Sequence, residues 1–412
     1  MSGAETDARP VRRRVVLYVP GYDPVPPRKY RERYRRQAAR QAALSGHEIA
    51  LGAAEGDARF GWHVSARIEG EAVETEVEVL YWADIVRASM GQSIAATYGQ
   101  LLRTAWVYLR SGALFRLMRL RKGPVIAALF PVAVLLGQLA LALGLAAVVA
   151  AVGQAVLPGA GIVAGLGIGL LAAGTLLRWF RRRDHLLAWY LMHDYAFSAQ
   201  FEGAYPPEQE ARMAEFADRI AGALGGGADE ILVVGHSSGA YLAVSILADL
   251  LRGGRVPEAG PVLSLLTLGQ VIPMVSFLPR ATRLRDDLAR LGESDRLAWV
   301  DVTAPGDGCA FALCDPVAVS GMAGPDKRWP LVLSAAFSKT LSPEAWSALR
   351  WRFFERHFQY LNAFDNLPGD PGDYDYFAVT AGPRTLAARF AGRKPSSSRI
   401  ERPVCAYGDR AA

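Results

Sequence analysis

Cysteine is scarce: Cys309, Cys314 and Cys405 are the only three among 412 residues. An odd, unclustered set cannot build a paired framework. Met1 to Arg14 is polar and arginine-rich with no apolar core behind it, so no secretory signal is read there. A disulfide-stapled secreted domain is therefore excluded. The six histidines are scattered, and Cys309 and Cys314 have no Cys or His neighbour at ligand spacing, so no metal is expected. A glycine-rich phosphate loop with its lysine is missing, as is a dinucleotide fingerprint, so no cofactor is expected either. No nucleic-acid reading motif accompanies the basic residues, which argues against a DNA or RNA partner. Two further absences are local. Residues 85–183 hold eleven Lys and Arg but no Asp or Glu, and the 55 residues between Lys122 and Arg178 carry no charge and no histidine.

What is present is a folded composition, 51% hydrophobic and 21% charged, which excludes a disordered chain or a coiled coil. The net charge of +6 is unevenly spread. Residues 1–40 hold eleven Lys and Arg against four Asp and Glu, and the second basic block flanks the uncharged run. That pattern points to a membrane surface. A straight helix of 55 residues would be about 80 Å long against a hydrocarbon core of ~30 Å, so the run must break. Gly153 to Gly159, which includes Pro158, is the expected break, giving two spans over about 124–152 and 160–178. In the second, Gly161, Gly165 and Gly169 recur every four residues and bare one face for close packing. A buried hairpin in a soluble core is the alternative. Arg103, Arg110, Arg116, Arg119, Arg121 and Lys122 precede the run and Arg178, Arg181, Arg182 and Arg183 follow it. The positive-inside rule then places both flanks, and the soluble parts, in the cytoplasm. Ile94 to Leu120, with Tyr98, Trp106 and Phe115 among arginines, reads either as an interfacial helix or as an ordinary amphipathic helix on the soluble part.

Outside this segment, strand and helix patterns alternate. Val15–Val19 is a β-branched run closed by Pro20-Gly21, and a basic helix follows over Arg28–Leu44. A hairpin is expected over 62–68 and 72–80. After the apolar segment come a helix at Pro207–Leu224, a strand at 231–234, a helix at 240–251, a strand at 262–268, a helix at 281–291 and a strand at 298–303. This order predicts an α/β fold with a mostly parallel sheet flanked by helices, plus a two-helix transmembrane hairpin. The expected divisions are 1–92 and 184–392 for the soluble domain, 93–183 for the interfacial helix and hairpin, and 393–412 for a disordered tail.

The most informative stretch is Glu230–Ala243, an apolar strand, then Gly235-His236-Ser237-Ser238-Gly239, then a small-residue helix. A serine on so tight a strand-to-helix turn is strained and exposed, and Gly235 and Gly239 remove side chains that would clash there. The Ser238 amide, at the new helix N-terminus, points where an oxyanion would form. Ser237 is thus a candidate nucleophile, with a plain turn serine as the alternative. At these residues the chain resembles the α/β-hydrolase family, in particular its lipase and esterase branch. Val19-Pro20-Gly21-Tyr22 looks like the family's oxyanion turn, which implies the Tyr22 amide as second donor. Leu265–Gln270 is similar to the strand after the nucleophile. An inserted membrane hairpin departs from the usual soluble pattern. The family's order of serine, acid, histidine implies His357, the sole histidine after Ser237, as base. Its context, His357-Phe358-Gln359-Tyr360, is similar to some lipase-like members. A core histidine is the alternative, because Leu349, Phe353, His357 and Leu361 share one helical face. Asp307, four residues past the strand ending at Thr303, is the preferred acid. Asp315, in a lipase-like Asp-Pro-Val, is the alternative.

These residues imply a membrane-anchored serine hydrolase acting on a small-molecule or lipid ester through a Ser-His-Asp triad and an acyl-enzyme. A thioesterase or acyltransferase on the same fold, or a catalytically silent scaffold at the membrane, remain the competing readings.

Overall fold

The computed structural model describes residues 10–54, 60–159, 161–367, 369 and 373–408. The first part contributes β1 (Arg13–Val19), α1 (Arg28–Ser45), β2 (Glu48–Ala53), β3 (Gly61–Ile68) and β4 (Glu71–Val79). A helical segment follows: α2 (Ala83–Ser89), α3 (Ile94–Arg110), α4 (Ala113–Leu120), α5 (Lys122–Val156), α6 (Gly161–Arg183), α7 (Ala188–Ala199) and α8 (Pro207–Leu224). Then come β5 (Glu230–His236), α9 (Gly239–Arg252), β6 (Val262–Leu268), α10 (Ile272–Ser276), α11 (Thr282–Glu293), β7 (Ala298–Thr303), α12 (Pro316–Val319) and β8 (Leu331–Ser334). Short helices at Pro343–Leu349, Phe353–His357 and Tyr376–Ala381 close the domain.

One eight-stranded sheet, in the order β2-β3-β4-β1-β5-β6-β7-β8, joins strands from both sides of the apolar segment. β1 pairs parallel with β4 and with β5, so residues 93–183 are an insertion between two halves of a single sheet. β5 is buried at every position, as a central parallel strand covered on both faces must be. Helices α8, α9 and α11 cover one face, and α1 with Tyr376–Ala381 the other. A fully buried ion pair ties the halves together. Arg14 Nε lies 2.7 Å from Glu230 Oε2, and its other nitrogens donate to the carbonyls of Gly382 (2.7 Å) and Arg384 (2.6 Å). Ser264 Oγ and the Leu386 amide donate to the free carboxylate oxygen, each at 2.7 Å. With every polar atom engaged, this pair is costly to break, on the order of 3–5 kcal/mol for loss of one partner.

The sheet is mostly parallel and the expected hairpin is β3–β4. It differs from the expectation at its two edges: β2, antiparallel to β3, and the four-residue β8 carry too short an apolar signal to stand out in the sequence. The tail expected to be disordered from 393 instead runs along the domain through its described residues. Ile400 bridges Cys314, and the Val404 and Cys405 amides both donate to Val319 O. Residues 409–412 of that expectation lie outside the described residues. The helix read over Ile94–Leu120 is two helices, broken at Gly112 with φ +70°. Leu101, Val107 and Tyr108 pack inward, while Leu102, Trp106, Leu109 and Phe115 stay exposed.

α5 and α6 are long and apolar enough to cross a membrane, and only 17% and 28% of their most apolar windows are covered by protein. A hairpin buried in a soluble core would be covered. At 35 residues α5 is about 52 Å long, more than a hydrocarbon core needs. Its first part instead docks on the soluble domain. Val125 and Leu135 are buried, Tyr98 Oη donates to Leu135 O (2.9 Å), and Trp189 Nε1 donates to Gln138 Oε1 (3.0 Å). Beyond Gln138 it pairs with α6 through small residues, Ala142, Ala146 and Ala150 against Ala173, Gly169 and Gly165. A Cβ on Gly165 would stand 2.8 Å from Ala150 Cα, whereas one on Gly167 would meet nothing within 4 Å. Gly165→Leu is therefore expected to destabilise the hairpin by about 1–3 kcal/mol and Gly167→Leu to leave it unchanged. Thermal unfolding of the two variants in detergent checks this; equal losses would mean that the helices do not pack on the Gly165 face.

Candidate active site

β5 runs into the turn at Gly235–Gly239, and the backbone pays for the turn's tightness at one residue. Ser237 has φ +57°, a conformation L-residues avoid. Its neighbours make room. A Cβ on Gly235 would stand 2.7 Å from Gly239 O and 2.8 Å from Ala240 Cα, and one on Gly239 would come within 2.6 Å of Pro20 O. The turn is pinned to the sheet by the Ser237 amide donating to Leu268 O (2.9 Å). Ser238 then opens α9 as its N-cap.

His357 ends the short helix Phe353–His357, and its Nδ1 lies 2.7 Å from Asp307 Oδ2. Asp307 is buried and fully engaged: the Cys309 amide donates to Oδ1 (2.9 Å) and Tyr360 Oη to Oδ2 (3.0 Å). Tyr360 Oη in turn accepts from the Ala304 amide (3.0 Å). Burial alone would raise the Asp307 pKa. The His357 charge and these hydrogen bonds outweigh it and hold the carboxyl below its ordinary value. Asp307 is thus kept ionised beside the imidazole, with Nδ1 as the donor and Nε2 left for a second partner. Behind the ring, His236 Nε2 donates to His357 O (2.9 Å), and burial pushes His236 down to about 3, so it stays neutral in that role. Gly269, with φ +53°, lets the ring in, because a Cβ there would be 3.2 Å from His357 Cε1 and 2.6 Å from Tyr360 Cε2.

Ser237, Ser238, His357, Gly21 and Tyr22 line one cavity of about 70 Å³. Ser237 and His357 make no hydrogen bond to each other among the described residues, a gap common in unliganded sites. The Gly21 turn lies against the serine: a Cβ on Gly21 would be 2.9 Å from Ser237 Cβ. Trp82 Nε1 donates to Pro20 O (2.9 Å), Tyr190 Oη to Tyr22 O, and Tyr22 Oη pairs with Ser89 Oγ (2.5 Å), which holds the Tyr22 peptide in place. Pro124, in the first turn of α5, is part of the same cavity wall, and Tyr190, Asp194, Tyr195 and Ser198 of α7 form another.

The structure brings Ser237, His357, Asp307, Tyr22 and Ser238 to one place. It engages Asp315 elsewhere: one oxygen caps α12 through the Val317 and Ala318 amides (3.0 Å each) and the other meets Lys327 Nζ at 2.6 Å. The continuous helix that would have made His357 a core residue is absent, since Pro343–Leu349 and Phe353–His357 are separate short helices. Asp307, Cys309 and His357 also cluster as a metal ligand set would. However, the Asp307 oxygens are already held by N–H and O–H donors, and burial pushes the Cys309 thiol far up, away from the thiolate that binds metal. Sequence reading assigned no role to Tyr360, His236, Gly269 or Asp194. The first three lay inside motifs already noted, but Asp194 sits on a helix with no motif around it.

Asp194 is a half-buried carboxyl on the cavity wall with no hydrogen-bond partner among the described residues. Burial raises it to about 7, against a smaller opposing pull from His357. Between its ordinary value and about 7 the folded chain keeps a proton the unfolded chain has released, so stability falls as pH rises through that window. Asp194→Asn removes this term. The variant is expected to melt with wild type near about pH 4 and increasingly above it as the pH rises to about 8. Melting curves across that range test the point, and a pH-independent offset would assign Asp194 a packing role instead. Compared with family models, curated proteins and solved structures, this chain matches none, so the geometry of the site alone carries the functional reading.

Proposed function

We propose that the protein is a membrane-anchored serine hydrolase of α/β-hydrolase type that cleaves a carboxylic ester, with a lipid ester the favoured class. The observation that carries this reading is Asp307 Oδ2 held 2.7 Å from Nδ1 of His357, on the same cavity as a serine at φ +57°. In this mechanism Ser237 Oγ attacks the acyl carbonyl while His357 Nε2 takes its proton. Asp307 holds the tautomer and stabilises the imidazolium. The Tyr22 and Ser238 amides receive the developing oxyanion, and His357 returns the proton to the leaving alkoxide. Water, activated by the same imidazole, then releases the acid. A lipid substrate is favoured because Pro124, at the base of a helix fit to span a membrane, is part of the cavity wall.

Nucleophile and base act as one unit, so their losses do not add. Ser237→Ala, His357→Ala and the double variant are expected to hydrolyse a short p-nitrophenyl ester at similarly low rates, and Ser237→Ala not to react with a fluorophosphonate. Asp307→Asn is expected to lose about 10⁴-fold in kcat, the size this change has in a serine protease triad, and Asp315→Asn far less. Near-normal turnover in His357→Ala would abandon the triad and favour a silent scaffold.

The basic flanks of the hairpin favour a cytoplasmic soluble domain. Leu157→Cys, at the exposed tip between α5 and α6, is then expected to be labelled on intact cells by an impermeant thiol reagent, and Glu258→Cys on the soluble domain to be protected. The reverse pattern would invert the topology.

A further inference from the structure

Part of the N-terminal basic concentration, residues 28–36, has no part in the hydrolytic chemistry, and the fold puts it beside the catalytic cavity. A groove of about 680 Å³ along the start of α1 shares Asp23, Phe354 and Phe358 with that cavity. Six cations line it, Arg28, Lys29, Arg31, Arg33, Arg35 and Arg36. Glu32 answers part of this charge, accepting from Arg35 at 2.7 Å and lying 3.8 Å from Arg36. Asp23 is already held by Tyr30 Oη (2.9 Å) and the Val25 amide (3.0 Å). The side chains of Arg28 and Lys29 take no hydrogen bond or ion pair among the described residues.

Among the cations of this groove, Arg33 packs on the residue next to the candidate base. Its guanidinium lies 4.6 Å from the Phe358 ring centroid, and Phe358 follows His357 in the chain. It is half-buried, and its one hydrogen bond is to a neutral group, Asn362 Oδ1 at 3.2 Å. Burial lowers its pKa, against smaller opposing pulls from Tyr18, Tyr30 and Asp23. A guanidinium backed by an aromatic face, with further cations at the mouth, suits a multiply charged oxyanion.

Resting on the hydrolase reading above, we propose that this groove seats a phosphate group carried by the substrate, with Arg33 as the specificity-determining residue, so that the favoured ester is an anionic phospholipid-like one. The acyl carbonyl reaches Ser237 while the phosphate lies past Phe358 against Arg33, Arg28 and Lys29. The same chemistry could instead hold the domain to an anionic membrane surface, and the experiment separates the two.

Full-length protein in neutral detergent is assayed on two monomeric short-chain esters with equal acyl groups, one a phosphatidate and one a neutral diacylglycerol. Wild type is expected to prefer the phosphatidate. Arg33→Gln, and separately the exposed pair Arg28→Gln with Lys29→Gln, are expected to reduce the phosphatidate-to-neutral ratio of kcat/KM about 10-fold, through KM. Titration with a non-hydrolysable ether phosphatidate is expected to show the same loss of affinity, a readout that stands even if Ser237 proves unreactive to fluorophosphonate. An unchanged ratio and unchanged ether-lipid affinity in both variants would overturn the proposal. So would a loss confined to co-sedimentation with anionic vesicles, which would leave a membrane-surface patch only.

Discussion

One strained residue organises the site. Ser237 can hold φ +57° because the chain is stripped of side chains wherever it passes close by: Gly235 and Gly239 within the turn, and Gly21 opposite it. The strain, of order 1–3 kcal/mol, persists where the surroundings over-determine it. Here they do so through the parallel pairing of β5 with β1 and β6 and through the Ser237 amide on Leu268 O. The same approach of the β1 turn to the elbow brings the Tyr22 peptide beside the serine. Strain and the two candidate oxyanion donors are therefore consequences of a single packing constraint.

That constraint must be met by two stretches of chain far apart in sequence. β1 and β5 are separated by the whole helical insertion, yet they pair along their length. The buried Arg14–Glu230 pair stands at the opposite end of these strands from the elbow and gathers the backbone of residues 382–386 around it. Removing either charge would leave the other desolvated, so register between the two halves is tied to electrostatic satisfaction as well as to apolar burial. The insertion is not an appendage hung from this domain. The base of α5 and the helix after α6 both contribute cavity walls, so the apolar hairpin and the site share structure. A movement of the hairpin relative to the sheet would be felt at Pro124, Tyr190 and Asp194.

Electrostatics divide the site between two carboxyls with opposite environments. Asp307 is surrounded by donors and is held ionised, whereas Asp194 has none among the described residues and is pushed towards its neutral form. One carboxyl is thus bonded to the imidazole, and the other shares its cavity wall without a hydrogen bond to it.

The sequence by itself determined the elements with strong local signals. The 55-residue uncharged run can only be apolar helix with a break, the strand–Gly-x-Ser-x-Gly–helix stretch can only turn tightly, and the hairpin over 61–79 follows from alternation around Glu69-Gly70. Asp307 was legible as the preferred candidate because it lies just past a strand end, and it is the carboxylate that the fold sets against His357. What the tertiary structure alone decided has little or no local signal. Four-residue β8 and edge strand β2 take their conformation from their neighbours, and the tail beyond 393 is ordered by backbone bonds to Leu313, Asp315 and Val319 that no composition rule anticipates. Asp194 belongs to the site only because α7 folds back over the cavity, and Tyr360 only because its hydroxyl meets a carboxylate 53 positions away. Contacts of that range depend on how helices settle on a sheet, a property of the assembled layers and not of any single stretch of residues.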